Sequence, residues 1–204
     1  FDAATNNTGN LNVAIGRDAM KAGSNSANHD SVVIGAYAAA QATYQRKNVI
    51  IGRNAIAEYS GSNEIHSNVI LGYYAGVKLN QYTSNNVIIG ANALCGENTT
   101  TANQQNFSNN IVIGQNALAN AKTSTNGCIV MGENAGKNAA IGSDAYSYWS
   151  KVIAIGADCL KECTGGPDSI VAVGPNSMEN HTGDGDGSSG GYSVAYGPSA
   201  MRNN

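Results

Sequence analysis

Apolar residues in this chain fall into runs of three or four, each closed by a glycine and most of them opened by an asparagine. The pattern is plainest in NVIIGRNAI at 48–56, NVILGYYAG at 68–76, NVIIGANAL at 86–94 and NIVIGQNAL at 110–118. With looser copies the phrase occurs eleven times, centred on Gly16, Gly35, Gly52, Gly72, Gly90, Gly114, Gly132, Gly142, Gly156, Gly174 and Gly197. Self-similarity spread over a whole chain is the mark of a stacked repeat architecture. A short β-branched run bounded by Asn and Gly predicts a strand.

Strand periodicity then sorts the positions. The residue before the glycine is always apolar (Ile15, Ile34, Ile51 and their equivalents), as is the third residue before it (Val13, Val32, Val49). These two share a face. The residue between them points the other way, and it too is apolar: Ala14, Val33, Ile50, Ile70, Ile88, Val112, Val130, Ala140, Ala154, Ala172, Ala195. Sheets covered on both sides read this way. A single-chain coil covers only its inner face, so the second face predicts further copies of the chain around an axis. The expected fold is all-β, a parallel β-solenoid of about eleven repeats assembled as a homotrimer.

The turn after each strand is also regular. Glycine reaches positive φ without steric cost, as a sharp corner requires. Two residues later Asn or Asp stands in eight copies, among them Asp18, Asn54, Asn92, Asn116, Asn134, Asp144, Asp158 and Asn176, and stacked Asn side chains form ladders. The next position is Ala in nine copies and Cys159 or Ser177 in the others, which predicts close packing between rungs. The acids in these turns are therefore expected to be structural. Successive glycines lie 19, 17, 20, 18, 24, 18, 10, 14, 18 and 23 residues apart, so the step from Gly132 to Gly142 is too short for a coil like its neighbours.

Composition narrows the picture. The repeat runs through most of the 204 residues, so 1–204 is expected to be one elongated domain, with a lead-in segment at 1–11 and repeats at 12–201. Phe1 in place of Met suggests a fragment of a longer fibre or adhesin. Only 12% of the residues are charged, and the net charge is −3. That gives no basic stripe for nucleic acid. No apolar run reaches the roughly 20 residues of a membrane helix, so no membrane insertion is expected. Cys159 and Cys163 are spaced C-x3-C, with no second pair or clustered His, and buried thiols are expected rather than zinc. His29, His66 and His181 stand in separate loops without metal spacing. No metal and no cofactor are predicted.

Strings such as SVVIGAYA, NVAIGRDA and AAIGSDA resemble the left-handed parallel β-roll of trimeric autotransporter adhesin heads. NVIIGANAL and NIVIGQNAL are similar still more closely to the N-T-A-I-G-x-N-A-L repeats of bacteriophage tail fibres and tail spikes. The resemblance spans nearly the whole chain and implies a left-handed, homotrimeric coil used in attachment to a cell surface. Adhesin heads keep a repeat of about fourteen residues, which here survives only between Gly142 and Gly156. The longer insertions and the Asn-Ala-Leu ending favour the phage side.

Insertions in a solenoid project from one edge, often the binding edge. Here they occupy 22–30, 41–47, 57–67, 77–85, 95–109, 146–151 and 178–192. Several carry rings among Ser, Thr, Asn and Gln, a mixture that offers sugars a stacking face and a hydrogen-bonding rim. The candidate ligand-binding residues are Tyr44, Tyr59, His66, Tyr82, Phe107, Tyr146, Tyr148 and Trp149, with the dense YSYWS segment first. Tyr37, Tyr73 and Tyr74 lie within the repeat itself and are expected to pack structurally. GDGDG at 183–187 contains part of a calcium loop but lacks the later ligands, including the bidentate Glu. Glycoside hydrolysis needs two carboxylates beside a groove. The least unfavourable pair is Glu58 and Glu64, and nothing beyond proximity supports it. No catalytic residues are assigned. The expected function is a virion attachment protein, a phage tail fibre that recognises a bacterial surface glycan or protein and contacts other tail proteins. The alternatives are an adhesin head at the bacterial surface, a glycan-degrading tailspike and a plain structural shaft.

Overall fold

In each repeat the apolar run forms a three-residue strand, and the glycine that closes it turns the chain out of the sheet. A computed structural model describes residues 3, 9–21, 28–42, 44–57, 64–77, 83–96, 107–120, 125–139, 149–163, 169–182 and 192–203. The strands from the repeats are β1 (Val13–Ile15), β2 (Val32–Ile34), β4 (Val49–Ile51), β6 (Val69–Leu71), β8 (Val87–Ile89), β10 (Ile111–Ile113), β12 (Ile129–Met131), β14 (Ile153–Ile155), β15 (Ser169–Val173) and β16 (Tyr192–Tyr196). They stack in chain order as one parallel sheet. Between them lie two-residue strands: β3 (Gln45–Arg46), β5 (Ile65–His66), β7 (Thr83–Ser84), β9 (Phe107–Ser108), β11 (Thr125–Asn126) and β13 (Trp149–Ser150). These form a second parallel sheet of six strands. The chain is an all-β parallel solenoid, with no helix among the described residues.

Among the described residues ten strands make the main ladder. β12 pairs directly with β14, Ile129 opposite Ile153 and Met131 opposite Ile155. No strand stands between them, and Gly142 lies outside the described residues.

Register repeats without slippage. Val33, Ile50, Ile70, Ile88, Val112, Val130, Ala154 and Ala172 stack in one column and are fully buried. Facing them from the second sheet are the buried first residues of its described strands: Gln45, Ile65, Thr83, Phe107 and Thr125. The alanines three residues after each glycine, from Ala19 to Ala135, are also fully buried, and Cys159 and Ser177 take their place in later rungs. The small residues let consecutive turns close on one another, as when Met20 N–H donates to the Ala38 carbonyl at 2.9 Å.

Two amide ladders run up the column. One lies in the turn: Asn92 Nδ2 donates to Asn116 Oδ1, Asn116 to Asn134 and Asn134 to Asp158, over 3.3, 3.1 and 3.2 Å. These residues take φ between 53° and 55°, which Asn and Asp tolerate better than other side chains. The other ladder is buried, just ahead of the strand. Asn68 Nδ2 donates to Asn48 Oδ1, Asn86 to Asn68, and Asn110 to Asn86, at 3.1, 2.9 and 2.9 Å. The same Nδ2 atoms also donate to the carbonyls of Thr83, Phe107 and Thr125. Each Oδ1 accepts as well from the backbone N–H of the next rung.

Candidate functional surfaces

The column presents three outward surfaces of different chemistry. On the main sheet the outward positions flank the buried middle residue: Val49 and Ile51, Val69 and Leu71, Val87 and Ile89, Ile111 and Ile113, Ile129 and Met131, and so on through all ten strands. Apart from Ser169 at the start of β15, the described outward side chains are Val, Ile, Leu, Met or Tyr. Ile51 and Ile155 are each 38% exposed in the single chain; Val194 and Tyr196, on the last strand, reach 68% and 84%. Ten rungs at about 4.8 Å make this face roughly 45 Å tall. Contiguous apolar surface on that scale marks an interaction site.

The outward column of the second sheet is polar: Arg46, His66, Ser84, Ser108 and Asn126. Ser84 and Ser108 hydroxyls bond at 3.1 Å, and Asn109 Nδ2 donates to Asn126 Oδ1 at 3.2 Å. Arg46 reaches Glu64 at 3.6 Å, with both side chains nearly half exposed. Glu64, one of the two carboxylates weighed for hydrolysis, is thus an ion-pair partner of Arg46, and Glu58 lies outside the described residues. The sheets therefore divide the column into an apolar side and a polar side.

The ligand-binding residues expected from sequence are placed unequally. Tyr44 is half-buried directly before β3, and its carbonyl accepts from Ile65 N–H at 2.8 Å. His66 is half-buried on β5, one rung along from Arg46. The fold therefore brings Tyr44 and His66 onto neighbouring rungs. Phe107 requires a correction. It is not a loop ring open to ligand but a core residue, 1% exposed on β9, because the second sheet turns its first position inward. Trp149 continues the same backbone register opposite Thr125. Tyr59, Tyr82, Tyr146 and Tyr148 lie outside the described residues, as do Asp184 and Asp186 of the GDGDG segment.

The turn edge holds rings and cations that the expected site did not include. The residue after the glycine is Arg17, Ala36, Arg53 and Tyr73 in the first four rungs, and the one after that is Asp18, Tyr37, Asn54 and Tyr74. The Arg17 guanidinium lies over the Tyr37 ring, 4.8 Å from its centroid. Tyr73 and Tyr74 meet edge to face at 4.5 Å. Aligning the position that follows the glycine would have shown this cluster, since two of the chain's four arginines fall in it.

Cysteine chemistry is subdued. Cys128, Cys159 and Cys163 are buried free thiols. Burial pushes Cys159 and Cys163 up to about 12, away from thiolate reactivity, and raises Cys128 as well. No cluster of three metal-ligating side chains occurs among the described residues. Comparisons with protein families, with curated proteins and with solved structures return no match.

Proposed function

We propose that this chain is the repeat domain of a homotrimeric attachment protein, most similar in its repeat phrase to phage tail fibres. The observation that carries the proposal is the outward face of the main sheet, apolar on every one of ten rungs while the second sheet's outward column is polar. Parallel sheets are covered on both faces, and a column whose rungs all repeat the same face is best covered by identical columns packed about an axis. In that assembly the coil is left-handed, the main sheets face inward, and the insertions between rungs project outward to meet a bacterial surface glycan or protein. The protein would then stand outside the cell, in the virion tail. Tyr44 and His66, on adjacent rungs, are the described members of the receptor-facing set.

The test is to incubate the assembled protein with bacterial cells and with isolated surface polysaccharide. Saturable binding that leaves the glycan length unchanged is the expected result. Shortening of the glycan would replace this function with that of a degrading tailspike, and absence of binding to cells and glycan alike would leave a structural shaft.

A further inference from the structure

Four rungs at the N-terminal end differ from the rest of the turn edge. The position after the glycine is Arg17, Ala36, Arg53 and Tyr73 there, and Ala, Gln, Glu, Ala, Pro and Pro in the six described rungs that follow. Backbone bonds fix the stacking: Tyr37 N–H donates to the Arg17 carbonyl, Asn54 to Ala36, and Tyr74 to Arg53, at 2.8, 3.0 and 3.1 Å. Arg17 and Arg53 therefore stand two rungs apart, roughly 10 Å along the column, with only the methyl of Ala36 between them. The result is a stretch of the turn edge, here termed the bay, with alanine between two exposed arginines. Tyr37 borders it beneath Arg17, and Tyr73 extends it past Arg53 with 48% of its surface exposed.

Of the four arginines, Arg46 pairs with Glu64 and Arg202 with Glu179. Arg17 and Arg53 form no ion pair among the described residues. Asp18, the nearest acid in the same turn, is taken by Lys21 at 2.8 Å. Two guanidinium groups without an ion-pair partner among the described residues, on a chain of net charge −3, are a local departure from the average field. The Arg17 guanidinium lies against the Tyr37 ring while the Arg17 side chain remains exposed.

We propose that this bay binds an acidic saccharide chain lying along the column, with Arg17 and Arg53 each gripping an anionic group and the Tyr73 ring stacking on a sugar face. Guanidinium groups pair with carboxylates and phosphates through two parallel bonds, and aromatic rings supply the apolar platform sugars need. The two-rung separation suits anionic groups carried on alternating sugars. The site adds a glycan class to the attachment function and rests on it only in that the ligand belongs to a cell surface.

The test titrates oligogalacturonate, a heparin oligosaccharide and a neutral dextrin into the intact protein by calorimetry. Saturable binding of at least one acidic probe is expected, weakening as salt rises, with no comparable binding of dextrin. The double variant Arg17→Gln/Arg53→Gln should lose tenfold or more in affinity, and Tyr73→Ala several-fold. Arg46→Gln/Arg202→Gln should bind as the parent does. Failure of both acidic probes, or unchanged affinity in the Arg17→Gln/Arg53→Gln protein, overturns the site. So does a lower sedimentation mass for that variant, which would assign the arginines to subunit contacts. Cell binding that survives in the variant leaves the attachment function standing while removing this bay from it.

Discussion

At the scale of single residues, the glycine that closes each strand is constrained twice over. Its φ, near +140°, lies where side chains are strained, and that much follows from the corner the sequence demands. The second constraint emerges only when rungs are stacked. A Cβ on Gly90 would sit 2.3 Å from the Gly114 carbonyl oxygen, while one on Gly197 at the end of the column would meet nothing. Gly90→Ala should therefore cost about 3 kcal/mol or more, and Gly197→Ala about 1–2 kcal/mol from backbone strain alone. Denaturant unfolding of both variants measures the difference, and equal losses would refute the inter-rung clash. The buried thiols carry a pH signature. A thiol whose folded pKa is raised from 9.0 to about 12 is stabilising below pH 9, and the advantage is lost as pH climbs toward 12. Unfolding midpoints should drop between pH 8 and pH 10.5, and drop less in Cys159→Ala/Cys163→Ala. Alanine at 159 is the residue most rungs already hold there. An equal drop in both proteins would show that these thiols do not contribute.

At the scale of elements, the main strands and the turn ladder were legible because each is encoded by one kind of residue at one place in most repeats. The alternation of Val49, Ile50 and Ile51 announced two faces, and Asn92, Asn116 and Asn134 announced a column. The second sheet was not legible. Its strands are two residues long and read QR, IH, TS, FS, TN and WS, with no hydrophobic period to separate them from loops. That is why Phe107 looked like an exposed ring. The Asn ahead of many strands was readable as a boundary, but its burial was not, since boundary residues usually meet water. In the structure Asn86 gives and receives bonds across three rungs. Asn86→Ala should destabilise the fold by about 2–4 kcal/mol, because it strands a buried acceptor and a buried donor on its neighbours. Asn92→Ala, in the half-buried turn ladder, should cost about 1 kcal/mol. Urea titration of the two variants checks the order, and a reversal would show that the turn ladder is the stronger one.

At the scale of the whole molecule, the candidate binding residues were the least legible part. Ligand recognition in a repeat protein rests on departures from the repeat, and a single sequence does not say which departures lie side by side. Stacking alone showed that Tyr44 and His66 share neighbouring rungs, and that Arg17, Tyr37 and Arg53 share an edge. The apolar outer face is different, because every rung repeats it. If sibling chains cover it, Ile51→Lys/Ile111→Lys should place cations in a dry interface and yield a folded but dissociated chain, with circular dichroism unchanged and sedimentation mass reduced. The most direct measurement is the sedimentation-equilibrium mass of the unaltered protein. Three times the single-chain mass of 20.9 kDa is the predicted value. The mass of one chain, with the ten-rung apolar face open to water, would contradict the assembly.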